Sequence, residues 1–423
     1  MAEQKIEQTF SLGITYWPLR NSYRAWSGFD RRAVREELAH IASLGCDTVR
    51  LCLRWEDFQP GPERLGREAV RGLEIMLDAV QDAGLRAVLA LFVGGLGGAR
   101  LLPQWTTGYS LIEDDPEIVQ RYGQVLRAPG PQVAVVYDDA HRHTQLRDLY
   151  ENRAQLEAQR YLIRELIGNF DAHDAVYAWQ LGYDLERVLL PTRNRAARDW
   201  FRRICEYARQ YGAKRIMGVV SPRSLTSDST LRPEQIAEEA DLLGIHTFPH
   251  EPLRLNEPRS PAGVSFLYHL AASLVGKPVL VANLGLASAP DNRARWIADR
   301  AFGRVARSYL ASEDEQADFL ENSLQTLWRA GATGIWLAAY GDVPRDLWGI
   351  APFDRFQRER TIGLIREDGR EKPAAEVVRR FAKEHSDKQC HAPASFMEFD
   401  PERYWYNPAE QIQLLLRESS FSA

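Results

Sequence analysis

Cysteine is scarce, with four in 423 residues, and Cys46, Cys52, Cys205 and Cys390 show no C-x-x-C spacing. Neither a disulfide framework nor a cysteine-built metal cluster is expected. Long apolar runs are missing too, and no stretch reaches the length that a bilayer span requires. Basic runs are absent and the net charge is −5, so the electrostatic footprint that binds a nucleic-acid backbone is lacking. The segment Met1 to Gly13 carries neither the apolar core of a secretory signal nor the Arg/Ser-rich look of a transit peptide. These absences predict a cytoplasmic protein with reduced thiols, no cofactor or metal, no membrane contact and no nucleic-acid partner.

What is present is a regular alternation. Hydrophobic residues make up 45% and charged residues 26% of the chain, enough for one large core or two ordinary ones. Short apolar runs are followed by polar loops and amphipathic stretches, which predicts an α/β fold with parallel strands. The runs are Ser11–Pro18, Asp47–Trp55, Leu85–Gly95, Ala178–Glu186, Lys214–Ser221, Asp241–His250, Lys277–Ala287 and Gly331–Asp342. Asp30 is placed to cap a helix whose Val34, Leu38 and Ile41 share a face, and Val70, Leu73, Leu77 and Val80 line the next. From Gly97 to about His143 the pattern lapses into an irregular excursion, read as a lid or wall beside a site, and a helix is expected from about Gln145 to Phe170. The segment Arg403–Glu418, RYWYNPAEQIQLLLRE, is too apolar to float free, so it is expected to pack on the outer helices, with a subunit contact as the alternative.

Two runs end in polar residues, as buried parallel strands do where they emerge at a site. They are AWQLGYDLE (Ala178–Glu186) and KPVLVANLGLA (Lys277–Ala287). Both resemble the catalytic strands of the clan A glycoside hydrolases, most nearly family 5 and its beta-mannanase-like relatives. The resemblance implies a (β/α)8 TIM barrel over residues 1–384, a C-terminal extension over 385–423, and a carbohydrate ligand. In that family the fourth strand ends Trp-x-x-x-Asn-Glu, with the Glu as acid/base, and the seventh reads Lys-Pro-(apolar)-Glu-Phe-Gly, with the Glu as nucleophile. Trp179 and Gly285 fit the pattern. Tyr183 replaces the Asn, Asp184 the acid/base Glu and Asn283 the nucleophile, while the sixth strand carries His246 and Phe248 where the family has His-x-Tyr.

A glycosyl–enzyme intermediate needs a carboxylate that an amide cannot supply, and an Asp withdraws its carboxyl by roughly 1.5 Å relative to Glu. The resemblance therefore implies a non-hydrolytic or strongly impaired protein that retains sugar-binding positions at Trp17, Arg50, Trp55, Tyr183, His246, Phe248 and Trp336. One alternative is a working hydrolase of altered mechanism, either with a base relocated to Glu251, Asp342 or Asp346, or substrate-assisted through Asp184 and Glu186. Another is a scaffold subunit that meets a partner, or a second copy, through its aromatic tail.

Overall fold

Eight runs rich in aliphatic and β-branched residues become the eight strands of a closed, all-parallel barrel. They are β1 (Ser11–Tyr16), β2 (Thr48–Arg54), β3 (Arg86–Val93), β4 (Val176–Tyr183), β5 (Ile216–Val220), β6 (Leu242–His246), β7 (Leu280–Leu284) and β8 (Gly334–Leu337). Each pairs with its neighbours in sequence, and β8 closes on β1 through Ser11 opposite Gly334 and Ile14 opposite Leu337. This computed structural model describes residues 9–107, 132–191, 193–226, 231–247, 258–387, 389–390 and 396–418. The expected (β/α)8 barrel is the observed architecture, and all eight strands fall within the predicted runs or overlap them.

The helices that sheathe the barrel follow from local chemistry. Helix α1 (Arg31–Ser43) starts where the Asp30 side chain accepts from the amides of Arg32 and Ala33, and it turns Val34, Leu38 and Ile41 inward. Helix α2 (Arg67–Asp82) buries Leu73, Leu77 and Val80 in the same way. Further along the chain come α3 (Arg153–Phe170), α4 (Asn194–Gln210), α5 (Pro233–Glu239), α6 (Ala262–Val275), α7 (Glu313–Arg329) and α8 (Pro373–Glu384). Helix α7 opens on a capping box in which Ser312 and Glu315 satisfy each other's backbone amides, which offsets two donors that a helix start leaves bare. Among the described residues no helix is long and apolar enough to cross a membrane.

Inside the barrel, a small residue on one strand makes room for a large one on the next. Gly13 stands opposite Trp336, and a Cβ at Gly13 would lie 2.4 Å from the indole. The indole fills the interior beside Val88, Met217, Leu280 and Ala282 and donates its N–H to Ser11 Oγ at 3.0 Å. Burying the indole without such an acceptor would cost a hydrogen bond.

Two stretches differ from the reading of the sequence. Helix α3 begins at Arg153, capped by Asn152, and the residues before it form a hairpin, Gln132–Tyr137 against Ala140–Gln145. Its turn is Asp138–Asp139, both at positive φ, the geometry that two-residue hairpin turns require and that Asp tolerates. The excursion after β3 is thus partly regular; residues 108–131 lie outside the described residues. The tail packs on the barrel's outer layer, as expected, through α9 (Pro401–Tyr406) and α10 (Pro408–Glu418). Tyr404 is buried and donates to Leu225 O, and the Trp405 indole donates to Glu234 Oε1. Tyr406 is the tail aromatic left in solvent.

Candidate functional site

The ends of β4, β6 and β7 bring Asp184, His246 and Asn283 together at the C-terminal mouth of the barrel. Strand β4 leaves the sheet through Gly182 at φ +93 and Asp184 at φ +48. The Asp184 carbonyl then opens the short helix Leu185–Val188 by accepting from Arg187 N at 2.9 Å. That left-handed turn costs a non-glycine residue ~1–2 kcal/mol, and strain of this kind gathers where a side chain must be aimed. His246 and Asn283 are neighbours across the β6–β7 ladder, whose register slips between Ile245 and His246. Such irregularities re-aim side chains at barrel rims.

A chain of hydrogen bonds runs down from Asp184 into the barrel. His246 Nδ1 lies 2.8 Å from Asp184 Oδ1, and Arg50 Nη1 lies 3.1 Å from His246 Nε2. The guanidinium has only donors, so Nε2 accepts and the imidazole proton sits on Nδ1, facing Asp184. Arg50 also donates twice to Thr15 Oγ1, at 2.7 and 3.2 Å, and its cation lies 5.0 Å from the centre of the Tyr183 ring. Arg50 and His246 are fully buried. Burial alone would raise the Asp184 carboxyl, but its interaction with His246, electrostatic first and then by hydrogen bond, and the charges of Arg187 and Arg50 outweigh it and hold the group at about 2. Burial pushes His246 the other way, below the usual imidazole range, with Arg50 and Arg187 adding to the effect. The pair is an ionised carboxylate against a neutral imidazole, and such a carboxylate has no proton to give near neutral pH.

Above this pair opens a cleft of about 910 Å³, open solvent included, lined by Thr15, Trp17, Tyr183, Asp184, Arg187, Asn283, Phe302, Tyr340 and Glu359 among others. Asn283 is 4% exposed, and its Oδ1 is buried with no hydrogen-bond partner among the described residues. Phe302 is brought in by a hairpin inserted after β7, Arg295–Ala301 against Arg304–Leu310, whose turn binds Gly98 of the β3 loop through Phe302 N and Gly98 O. Gly98 sits at φ +68, and a Cβ there would lie 2.5 Å from the Phe356 ring, so the β3, β7 and β8 loops meet at one packed junction.

The predicted site residues divide into two groups. Tyr183, Asp184, Asn283 and Trp17 line the cleft, and Arg50 and His246 support it from below. Trp336, expected as a platform under a ligand, is instead barrel core, because Gly13 leaves its indole a place inside. Trp55 is also a correction: it is buried against Phe92 and Trp105 with its N–H on Gln59, and it does not line the cleft. Glu186 faces a second cavity with Tyr150, Trp200 and Ser224, which Asp184 also lines; burial and then the charge of Asp184 push its carboxyl up. Of the relocated-base candidates, Asp342 lies on the cleft but is paired with the buried Lys372 at 2.7 Å, and Asp346 is exposed. Phe248 and Glu251 lie outside the described residues.

Sequence reasoning missed Glu359, which comes from the loop FQRERTIG after β8 and lines the cleft. Burial raises its carboxyl, opposed by Arg358 and Arg187. A charge-dense loop at the mouth of a barrel was the one signal for it. Among the described residues no group of three or more His, Cys, Asp or Glu is placed to hold a metal.

No protein-family sequence model matches the chain, and no curated protein sequence matches it. Solved structures do. A GH5_18 protein from Streptomyces cattleya in complex with Manb1-4GlcNAc superposes at TM-score 0.70 with 20% identity, over 91% of this chain and 83% of that one. GH5_18 from Bifidobacterium longum subsp. longum superposes at 0.69 with 19% identity, over 92% and 81%. The exo-beta-1,4-mannosidase Op5Man5 from Opitutaceae bacterium strain TAV5 does so at 0.68 with 20% identity, over 90% and 60%. The chain has the (β/α)8 fold of the family 5 glycoside hydrolases of clan A. In (β/α)8 barrels sites are built at the C-terminal ends of the strands, and that is the end of the barrel where Asp184, Asn283 and Glu359 lie.

Proposed function

We propose that the chain binds a carbohydrate, or a molecule carrying one, in the cleft at the barrel mouth, and hydrolyses it not at all or very slowly. The observation that carries this reading is the geometry at Asp184, held 2.8 Å from His246 Nδ1 and 3.7 Å from Arg187 in a cleft whose other motif position is the uncharged Asn283. Retaining hydrolysis requires an acid that can release a proton and an anion that can attack, about 5 to 5.5 Å apart. By analogy with other enzymatic nucleophiles, loss of the anion alone costs ~10⁴ to 10⁶ in rate. Binding is favoured by the aromatic surfaces of Trp17, Tyr183 and Tyr340, which suit the C–H faces of a sugar. Asn283 Oδ1, without a partner among the described residues, suits a ligand hydroxyl. Structures of this fold bound to Manb1-4GlcNAc and to GlcNAc support the same assignment.

A second reading rests on Glu359. A carboxyl pushed upward in the same cleft as one held low is how acid and base roles are divided in working hydrolases, so Glu359 is the residue a relocated mechanism would use. Incubation with aryl glycosides and β-linked disaccharides, with tryptophan fluorescence and product release followed together, tests both. Saturable quenching without product is the expected result, and product release abolished by Glu359→Gln would establish the second reading instead.

A further inference from the structure

We propose that a polar cavity beside the cleft is a further subsite for neutral sugar units, so that the ligand is an oligosaccharide that continues past Tyr23 and not a single sugar. The inference rests on the reading of the cleft as a sugar site and sets the length of what it takes. The cavity, about 1180 Å³ with open solvent included, is walled by the loops after β2 and β3, the segment Ser22–Ser27 and the turn of the hairpin Gln132–Gln145. Ordinary ligand pockets hold ~300–1,000 Å³, so the space is ample for part of a ligand. Tyr23 lines both the cleft and the cavity. The chain passes from one to the other twice. Ser22 faces the cleft while Arg24 and Ser27 face the cavity, and after β3 the cleft takes Leu96 to Gly98 and the cavity Leu101 and Gln104. Positions two or three residues apart lie at most ~7–11 Å from each other, so the two spaces adjoin. Tyr23 is a fixed wall between them, its hydroxyl donating to Ala351 O at 3.1 Å and its ring packed edge-on to Phe353 at 5.2 Å.

The lining sets the chemistry of what enters. Arg24, Arg54 and Arg64 face Glu56, Asp57, Asp138 and Asp139, and most of these charges are matched inside the wall: Arg24 with Asp139, and Arg54 with both Glu56 and Asp57. Burial raises the Glu56 carboxyl to about 7, so near neutral pH its charge is partial and the two signs come close to cancelling. Such a wall selects neither an anion nor a cation. Its carboxylates accept from hydroxyl groups, and its guanidinium groups and the Gln104 amide donate to them. An apolar group would take water from these side chains and return no hydrogen bond. A neutral, hydroxyl-rich chain returns one at each ring, and Tyr23 and Tyr137 add aromatic surface for its C–H faces.

The test is calorimetric titration of the full chain with β-1,4-linked gluco- and manno-oligosaccharides, from the monosaccharide to the hexasaccharide. Affinity is expected to rise ~10-fold or more from the disaccharide to the longer chains, a factor that one or two added hydrogen bonds supply. Ser27→Trp and Gln104→Trp place an indole in the cavity from two exposed positions. Each should bring the longer chains back to within roughly 2-fold of the disaccharide, whose own affinity should not change. Affinity that is flat with chain length, or a gain that survives both variants, would overturn the subsite while leaving the cleft a sugar site. Failure of every member of the series to bind would overturn both.

Discussion

His246 donates its Nδ1–H to Asp184 Oδ1 across 2.8 Å, and the two residues reach that distance from the ends of strands β4 and β6, 62 positions apart in sequence. The pair is tied at its other end to Arg50 and Thr15, so a carboxylate at the site is anchored through the barrel interior. The same anchoring that fixes it as a hydrogen-bond acceptor removes it as a proton donor.

Replacing His246 with Leu leaves Asp184 without its Nδ1–H donor and Arg50 Nη1 without its acceptor, and a loss of ~3–5 kcal/mol in stability is expected at pH 7. The Asp184 carboxyl is held at about 2 in the fold, below its unfolded value of about 3.9. Its contribution is therefore complete above about pH 4 and is lost as pH falls toward 2. Urea unfolding at pH 7, 5 and 3 should show the gap between wild type and His246→Leu narrowing at the acid end. A gap that is constant with pH would mean that His246 does not shift the Asp184 carboxyl.

Glu56 follows the opposite sign. Burial first, and then Asp57, Asp138 and Asp139 against the single opposing cation of Arg54, push its carboxyl up to about 7; its side chain is 18% exposed. A raised carboxyl contributes fully at low pH and becomes a liability as pH rises from about 4.3 through 7. Glu56→Gln should therefore be more stable than wild type by ~1–3 kcal/mol at pH 8, with a smaller margin at pH 5. Asp57 still holds Arg54 in the variant. A variant less stable at pH 8 would contradict the shift.

Lys372 ties the loop after β7 to two points of the loop after β8, donating to Ser288 Oγ, Asp342 Oδ1 and Thr361 O at 3.0, 2.7 and 3.0 Å. Lys372→Met should cost ~3–5 kcal/mol, because it strands a buried carboxylate. Adding Asp342→Asn keeps an acceptor for Gly363 N and removes the charge, so the double variant should recover at least ~1 kcal/mol. Chemical denaturation of the three variants measures the coupling, and strict additivity would rule it out.

In the tail, Tyr404 is fully buried, so Tyr404→Ala should lower stability by ~3–5 kcal/mol, as loss of a core aromatic does. Light scattering should give wild type and variant the same mass. A mass that falls in the variant would make the tail a subunit contact.

The frame of this protein was legible because each barrel strand is buried on both faces and so reads as a short apolar run. Helix α1 announced itself through Asp30 and its i, i+4, i+7 stripe. At the site, Arg50, Asp184, His246 and Asn283 could be placed because strand ends carry motifs at fixed spacing. Trp336 could not: a strand four residues long gives no measure of depth, and only Gly13 on the neighbouring strand decides that the indole points into the core. Trp55 depended likewise on Phe92 and Trp105, far off in sequence. Glu359 and Phe302 arrive on loops with no periodicity, so their place on the cleft follows from how three loops pack together. The hairpin at Gln132–Gln145 was hidden by a turn of two aspartates in a stretch without glycine.

The account stands most directly on calorimetric titration of the wild-type protein with β-linked oligosaccharides, with the reducing sugar in the cell assayed afterwards. Saturable heat with no new reducing ends is the predicted result. Steady release of sugar at a rate that Glu359→Gln abolishes would contradict it.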